Sequence, residues 1–458
     1  MVTVTLGLLI ATSAGAATRY AAPGGAGHDP CANPAKPCSV YTAAARGLPG
    51  STIRPGDVVE LAPGIYHAEL EGEFGYIPSV LLPKGVTVRG QPGEKKPLIV
   101  IDGPESAYGA FVVPKGSEVA DVEIRDRTSL GNAIVVSEGI ISRVIARSIA
   151  SEPTCLFTAG TMRDSACFNS GGGPAIGVDF PPKGDLSSII RNSTLIATGP
   201  GSVGMAVSGS ASKTGMAETV DALGVIIKGE ERDLVARAQP SNRGPGAAVS
   251  ISLRASDYAT IATETPRGKG LPHRGKASIT PPGTHGNVTA PPLLAADNLH
   301  QLPGSPTIDR GIVDSASEAL DVDGEPRTIG EAPDTGADER DPLATTVDPI
   351  PVTVVGEQPP PKLTTMRRAE FIFGSSEPGS HFECKLDHAP FRACSSPYEK
   401  RVRLGRHEFQ VRAVDPQGQA DRTPVVFRWR VVTWRECPHR GATVLCGFFF
   451  DGDGEGIG

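Results

Sequence analysis

The sequence predicts an all-β chain, a long parallel β-solenoid followed by a small β-sandwich. Two observations carry the first part and one the second. A short phrase, an apolar residue followed by a basic one, returns at Val88-Arg89-Gly90, Ile124-Arg125-Asp126, Ala146-Arg147-Ser148, Ile190-Arg191-Asn192, Ile227-Lys228-Gly229 and Leu253-Arg254-Ala255. Of 458 residues, 55 are Gly and 42 Pro, against 2 Trp, 7 Tyr and 5 Met, a composition suited to many short strands joined by tight corners. Near the C-terminus, alternating apolar and polar runs are separated by turns every 8–12 residues, the spacing of a sandwich.

The first element, residues 1–17, reads as a secretory signal peptide: Val4 to Ile10 is an apolar stretch and Ala14-Gly15-Ala16 a small-residue cleavage site. Export agrees with the eight cysteines, which fall into the local pairs Cys31/Cys38, Cys155/Cys167, Cys384/Cys394 and Cys437/Cys446. Eight cysteines allow about 105 connectivities, but local pairing keeps each bridge inside one element, and the spacings lack the paired C-x-x-C pattern of zinc sites. Disulfides in an oxidising compartment are the expectation. The net charge of −7 and the lack of a basic cluster interleaved with aromatics argue against nucleic acid as a partner. No later stretch approaches the roughly 20 apolar residues of a membrane span.

Residues 18–340 hold the solenoid. The phrases recur at separations of 36, 22, 44, 37 and 26 residues, which fits turns of 20-odd residues with variable loops. Alternation places Val122 and Ile124 inside and Asp121, Glu123 and Arg125 outside. Ahead of them, Pro37-Cys38-Ser39-Val40-Tyr41-Thr42-Ala43-Ala44-Ala45 is the one helical patch, and Arg54-Pro55-Gly56-Asp57-Val58-Val59-Glu60-Leu61-Ala62-Pro63-Gly64-Ile65-Tyr66 follows it. This succession resembles the N-terminal part of secreted right-handed parallel β-helix proteins of the pectate-lyase-like superfamily. The resemblance implies that the helix caps an end of the solenoid that would otherwise expose unpaired strand groups. Further on stand Gly304-Ser305-Pro306-Thr307-Ile308-Asp309-Arg310-Gly311, Asp321-Val322-Asp323-Gly324-Glu325-Pro326-Arg327 and Asp334-Thr335-Gly336-Ala337-Asp338-Glu339. They resemble the choice-of-anchor Q module that closes many secreted bacterial β-helix proteins and precedes a surface-attachment signal.

Residues 341–361 form a Pro-rich linker, extended and stiff. Residues 362–433 form the sandwich, whose Phe382-Glu383-Cys384-Lys385-Leu386 and His407-Glu408-Phe409-Gln410-Val411-Arg412-Ala413-Val414 strands resemble bacterial immunoglobulin-like modules. Residues 434–458 are a cysteine-containing tail ending in Asp451-Gly452-Asp453-Gly454-Glu455.

Three sets of residues could carry chemistry. If the phrases stack in register, Arg89, Arg125, Arg147, Arg191, Lys228 and Arg254 line one face about 4.8 Å apart and could fork onto the carboxylates of an acidic polysaccharide. The ordinary alternative is a set of solvated strand ends. Polysaccharide lyases of the resembled fold pair Ca²⁺-binding acids with an Arg or Lys base, and Asp121, Glu123, Arg125, Asp126 and Arg147 could be cast in those catalytic roles. A hydrolase needs two facing carboxylates, and Asp179 and Asp185 sit in a loop with no evident partner. Asp451, Asp453 and Glu455 offer alternate oxygens as Ca²⁺ loops do, whereas Asp321 and Asp323 read as turn formers. No G-x-S-x-G, Walker loop or H-E-x-x-H occurs. The expectation is a monomeric, secreted or cell-surface, non-catalytic scaffold that binds extracellular or cell-envelope polysaccharide. The alternative is a lyase or glycoside hydrolase acting on acidic polysaccharide, and Ca²⁺ is the one cofactor to consider.

Overall fold

The computed structural model describes residues 16–45, 51–68, 80–91, 93–101, 109–179, 185–209, 216–241, 244–268, 271–295, 297–340, 353–355, 363–371, 373–375, 380–414, 420, 424–433, 439–440 and 443–444. Residues 1–15 of the expected signal peptide, Cys437, Cys446, Asp451, Asp453 and Glu455 lie outside them. The chain divides into two compact units, Met1–Leu294 with Leu299–Pro342, and Ala295–Asn298 with Leu343–Gly458.

In the first unit every strand pairing within the two large sheets is parallel and joins one turn of the chain to the next, the arrangement of a β-solenoid. Each turn, or coil, contributes to three faces. The first face contains Phe111–Pro114, Ile176–Val178, Val203–Gly209, Arg232–Ala238 and Ile261–Glu264. The second contains Val58–Leu61, Thr87–Gly90, Glu118–Ala120, Leu186–Arg191, Ala217–Leu223 and Ala248–Arg254. The nine-residue strands Ile134–Ser142 and Cys155–Arg163 bend from the first face into the second. The third face is a separate seven-stranded sheet from Ile65–Ala68 to Ile226–Gly229.

Parallel register stacks like on like inside. On the second face Val59, Val88, Val119, Ile141, Met162, Ile190, Ala222 and Leu253 form one column. On the third, Tyr66, Ile99, Ile124, Ala146, Cys167, Leu195 and Ile227 form another. All fifteen are buried, and such burial contributes about 1.5–3 kcal/mol per large aliphatic side chain. Every apolar member of the recurring phrase belongs to one of these columns. The phrases do not form one ladder, however: Val88, Ile190 and Leu253 are on the second face and Ile124, Ala146 and Ile227 on the third. That alternation explains the uneven separations.

A two-residue corner joins the second face to the third. Its first residue has left-handed backbone in six successive coils: Asp121 (φ 54°), Arg143 (51°), Asp164 (43°), Asn192 (44°), Gly224 (67°) and Ala255 (47°). Asp, Asn and Gly tolerate this region because a short polar or absent side chain relieves the clash with the carbonyl. The N–H of each donates to a carbonyl of the next coil, as from Asp121 to Ser142 at 3.1 Å and from Asn192 to Leu223 at 2.9 Å. The hydrogen-bond ladder thus runs on through the corner.

At the start of the solenoid Ser39 caps a short helix, Val40–Ala44, by accepting from the Thr42 N–H at 3.1 Å. Ala43 and Ala44 join the same core as Ala21, Val59 and Leu61. Disulfides link Cys31–Cys38 and Cys155–Cys167 in this unit, and Cys384–Cys394 in the second. No helix among the described residues is long and apolar enough to cross a membrane.

In the second unit a five-stranded sheet runs in the order Leu363–Thr364, Val425–Val431, Gly405–Val414, His381–Leu386, Arg392–Cys394. All its pairings are antiparallel except that of Leu363–Thr364. The short pair Arg368–Phe371 and Tyr398–Arg401 supplies further core residues. Here the core is aromatic: Phe371 stacks on Phe409 at 4.0 Å and meets Trp429 edge-on at 5.4 Å.

Candidate functional site

The expected basic stripe is divided between two sheets. On the outer side of the third face His67, Val100, Arg125, Arg147, Phe168, Ile196 and Lys228 share one column. Only Arg125 and Arg147 are neighbours in it, and Lys228 stands three rungs away. Arg89, Arg191 and Arg254 belong to the second face, where Arg89 pairs with Glu60 at 2.9 Å. The single continuous stripe is therefore corrected to an adjacent pair with scattered companions. The reason is the corner: consecutive phrases in sequence fall before or after it.

Most of these cations are already engaged. The Arg125 guanidinium donates to Glu123 at 2.8 Å, and that of Arg147 lies 4.1 Å over the Phe168 ring. Lys228 donates at 2.7 Å to the buried Asp257, whose carboxyl burial pushes up to about 6 against the opposing pull of Lys228. Arg191 is buried between Asp221 at 2.7 Å and Asp314 at 3.0 Å. The acids proposed for metal or proton chemistry are likewise occupied. Asp121 takes a bidentate bond from Arg143 at 2.7 and 2.9 Å, with Lys96 at 3.7 Å. Buried Asp126 accepts from the Thr128 N–H and hydroxyl and from Ser148, at 2.9, 2.7 and 2.8 Å.

The most specific motif of the sequence becomes a latch. Residues 299–339 run back along the side of the solenoid, over the left-handed corners and the outer side of the third face. Leu299, Val322 and Ala337 cover Ala166, Phe168 and Ile196. Gly336 donates its N–H to the Gly224 carbonyl at 2.9 Å and Ala337 to the Thr194 hydroxyl at 3.0 Å. Gly336 has φ +115°, a backbone conformation that L side chains rarely adopt, so the backbone calls for glycine. Arg327 ties the latch to the coils. It is 2 % exposed and holds Asp164 at 3.2 Å, Glu339 at 3.3 Å and the Gly336 and Ala337 carbonyls. Arg143 pairs with Glu318, and the Asn192 amide donates to the Ile312 carbonyl. Burial pushes the Asp164 carboxyl up to about 7 even with Arg327 drawing it down.

Asp321 has the turn-forming role that the sequence suggested, accepting from the N–H groups of Asp323, Glu325 and Glu339 at 3.0, 2.8 and 3.0 Å. Asp323 faces elsewhere. Its carboxylate meets His300 at 3.0 Å, and one donor atom each from His300, Asp323 and Asp338 lie within 4.8 Å of one another. Among the described residues this is the one group of donors placed to hold a cation.

Asp179, read from sequence as partnerless, has an acid beside it. Glu218, on the next coil, is 5 % exposed with one carboxyl oxygen lacking any hydrogen-bond partner. Burial, then the Asp179 charge, pushes its carboxyl up to about 8. Glu218 stacks between Leu186 and Val249. The signal was present in Ala217-Glu218-Thr219-Val220-Asp221-Ala222, where Glu218 falls in phase with the core-facing Val220 and Ala222. The latch contacts of Arg143, Asp164 and Glu318 carried no comparable signal, because each partner is more than 150 residues away along the chain.

Compared with known proteins, the chain matches no family model, no curated sequence and no solved structure.

Proposed function

We propose that this chain is a secreted or cell-surface protein of the right-handed, pectate-lyase-like β-helix type, with a choice-of-anchor Q-like latch and an immunoglobulin-like C-terminal module, and that it binds polysaccharide without cleaving it. The observation that carries this reading is the adjacency of Arg125 and Arg147 in register on the outer side of the third face. Two guanidiniums one rung apart, about 4.8 Å, match successive acceptors on a carboxylated sugar chain. Nearby acids that a lyase would use are tied into the scaffold, which favours binding over catalysis. The three disulfides are in keeping with an oxidising compartment.

The test is binding to a panel of uronate polymers with and without Ca²⁺, together with absorbance at 235 nm for unsaturated product. Binding that weakens in Arg125→Ala/Arg147→Ala, with no absorbance change, is expected. Unsaturated product on any polymer would overturn the non-catalytic reading.

One observation favours a hydrolase as the second reading. Glu218 is a buried carboxyl, pushed up to about 8 by burial and then by Asp179, and a protonated acid near a second carboxyl is what glycoside hydrolysis needs. Release of reducing ends that disappears in Glu218→Gln would establish it.

A further inference from the structure

The second unit carries a cleft of about 720 Å³ walled by Lys385, Arg406, Arg428, Arg430, Asp387 and Trp429. Its charges do not cancel. Arg406 and Arg430 are directly opposite one another on paired strands, and like charges so placed oppose pairing. The acids that could compensate them are used elsewhere. Glu408 accepts from Arg428 at 2.8 Å and from Gln410. Asp387 takes His407 at 2.9 Å and the Glu408 N–H at 2.9 Å. Among the described residues neither Arg406 nor Arg430 makes an ion pair. His407 packs on the Trp429 ring, 5.3 Å between centroids, and its second ring nitrogen is held by the Arg403 carbonyl at 2.8 Å. The wall beside the two arginines is therefore fixed in place.

We propose that this cleft binds a carboxylated sugar residue of an acidic polysaccharide, with Arg406 and Arg430 forking together onto the carboxylate. A pair of uncompensated guanidiniums selects a planar anion. Asp387 and Glu408 in the same wall repel a chain of closely spaced phosphates, which favours a carboxylated sugar over nucleic acid. The volume falls within the range of small-ligand sites, about 300–1,000 Å³, enough for one or two sugar rings. This inference rests on the polysaccharide-binding reading and adds to it a contact in the C-terminal unit, separate from Arg125 and Arg147.

The experiment uses the full chain, titrated by calorimetry with polygalacturonate, a neutral β-glucan and duplex DNA, with free galacturonate as competitor. Polygalacturonate binds, galacturonate competes, and Arg406→Ala/Arg430→Ala weakens binding about 10- to 100-fold with an unchanged circular dichroism spectrum. Arg406→Lys/Arg430→Lys, which keeps the charge and loses the fork, binds less tightly than the parent. Unchanged affinity in the alanine pair, with loss only in Arg125→Ala/Arg147→Ala, removes the cleft and leaves the broader reading standing. No polygalacturonate binding by the parent chain removes both. Equal binding of β-glucan or DNA overturns the acidic-sugar assignment.

Discussion

The arginines at the corners and latch of the solenoid and the facing arginine pair of the C-terminal sheet handle charge in opposite ways. In the solenoid the basic side chains at the corners and under the latch are buried or half-buried and turned onto acids of the same unit: Arg143 on Asp121, Arg191 on Asp221 and Asp314, Arg327 on Asp164 and Glu339. In the C-terminal unit Arg406 and Arg430 face each other across paired strands with no acid between them. The cores differ as well, aliphatic and stacked in one, aromatic and clustered in the other. A charge engaged internally contributes to one folded structure, whereas an uncompensated charge at the surface is available to a partner. The first set of arginines is committed to holding the fold, and the second is left uncompensated at the surface.

The largest expected effect is on the latch. Arg327→Ala leaves Asp164 and Glu339 buried without their cation and should cost about 3–5 kcal/mol in denaturant unfolding. A loss under about 1 kcal/mol would show that the latch adds little to the solenoid. Next comes Cys155→Ala/Cys167→Ala, which opens a short covalent loop within one coil. An expected loss of about 2–4 kcal/mol would be read from the same measurement.

A pH series sharpens the contrast further. Burial raises Asp164 to about 7, and Asp257 and Asp334 to about 6, whereas the unfolded chain titrates near 4. Between these values the folded state holds more protons than the unfolded one, so these groups favour folding below about pH 4 and oppose it as pH rises through 6 and 7. Asp29 and Asp314 are held below the ordinary range, against burial, by hydrogen bonds from Thr52 and Arg191. They are ionised throughout this window and do not alter the sign. The midpoint of thermal unfolding should rise as pH is lowered from 8 to 6, and a fall would contradict the burial of these carboxyls. The smallest effect is expected at Arg406→Ala. Removing one of two opposed like charges should raise stability by about 0.2–1 kcal/mol, measured by thermal unfolding, while a loss would show that Arg406 has an internal partner after all.

Much of the solenoid was legible in the sequence. The apolar members of the recurring phrase occupy the inner columns, since parallel register needs the same side of each strand to be apolar in every coil. A helix within Pro37–Ala45, which the structure confines to Val40–Ala44, and the turn at Asp321 were also readable, because both rest largely on local contacts. Ser39 and Asp321 satisfy backbone N–H groups within a few residues of themselves or, for Glu339, within the same motif region. The basic members misled because an apolar–basic pair looks the same on either side of the corner, so that Arg191 and Arg125 seemed equivalent although they belong to different sheets. Glu218 was readable by phase alone, but its closeness to Asp179 depends on how two coils stack.

The sequence by itself determined the all-β character, the inner columns and the local pairing of the three described disulfides, because alternation and short loop closure are set by residues near one another. The tertiary structure decided what the polar residues do. Which cation meets which acid depends on a latch brought back across more than 100 residues and on cross-strand register, and neither leaves a periodic trace in the chain. For the same reason the motif from Gly304 to Glu339, the most distinctive stretch in the sequence, shows its role as a clasp over the corners only once the coils are stacked.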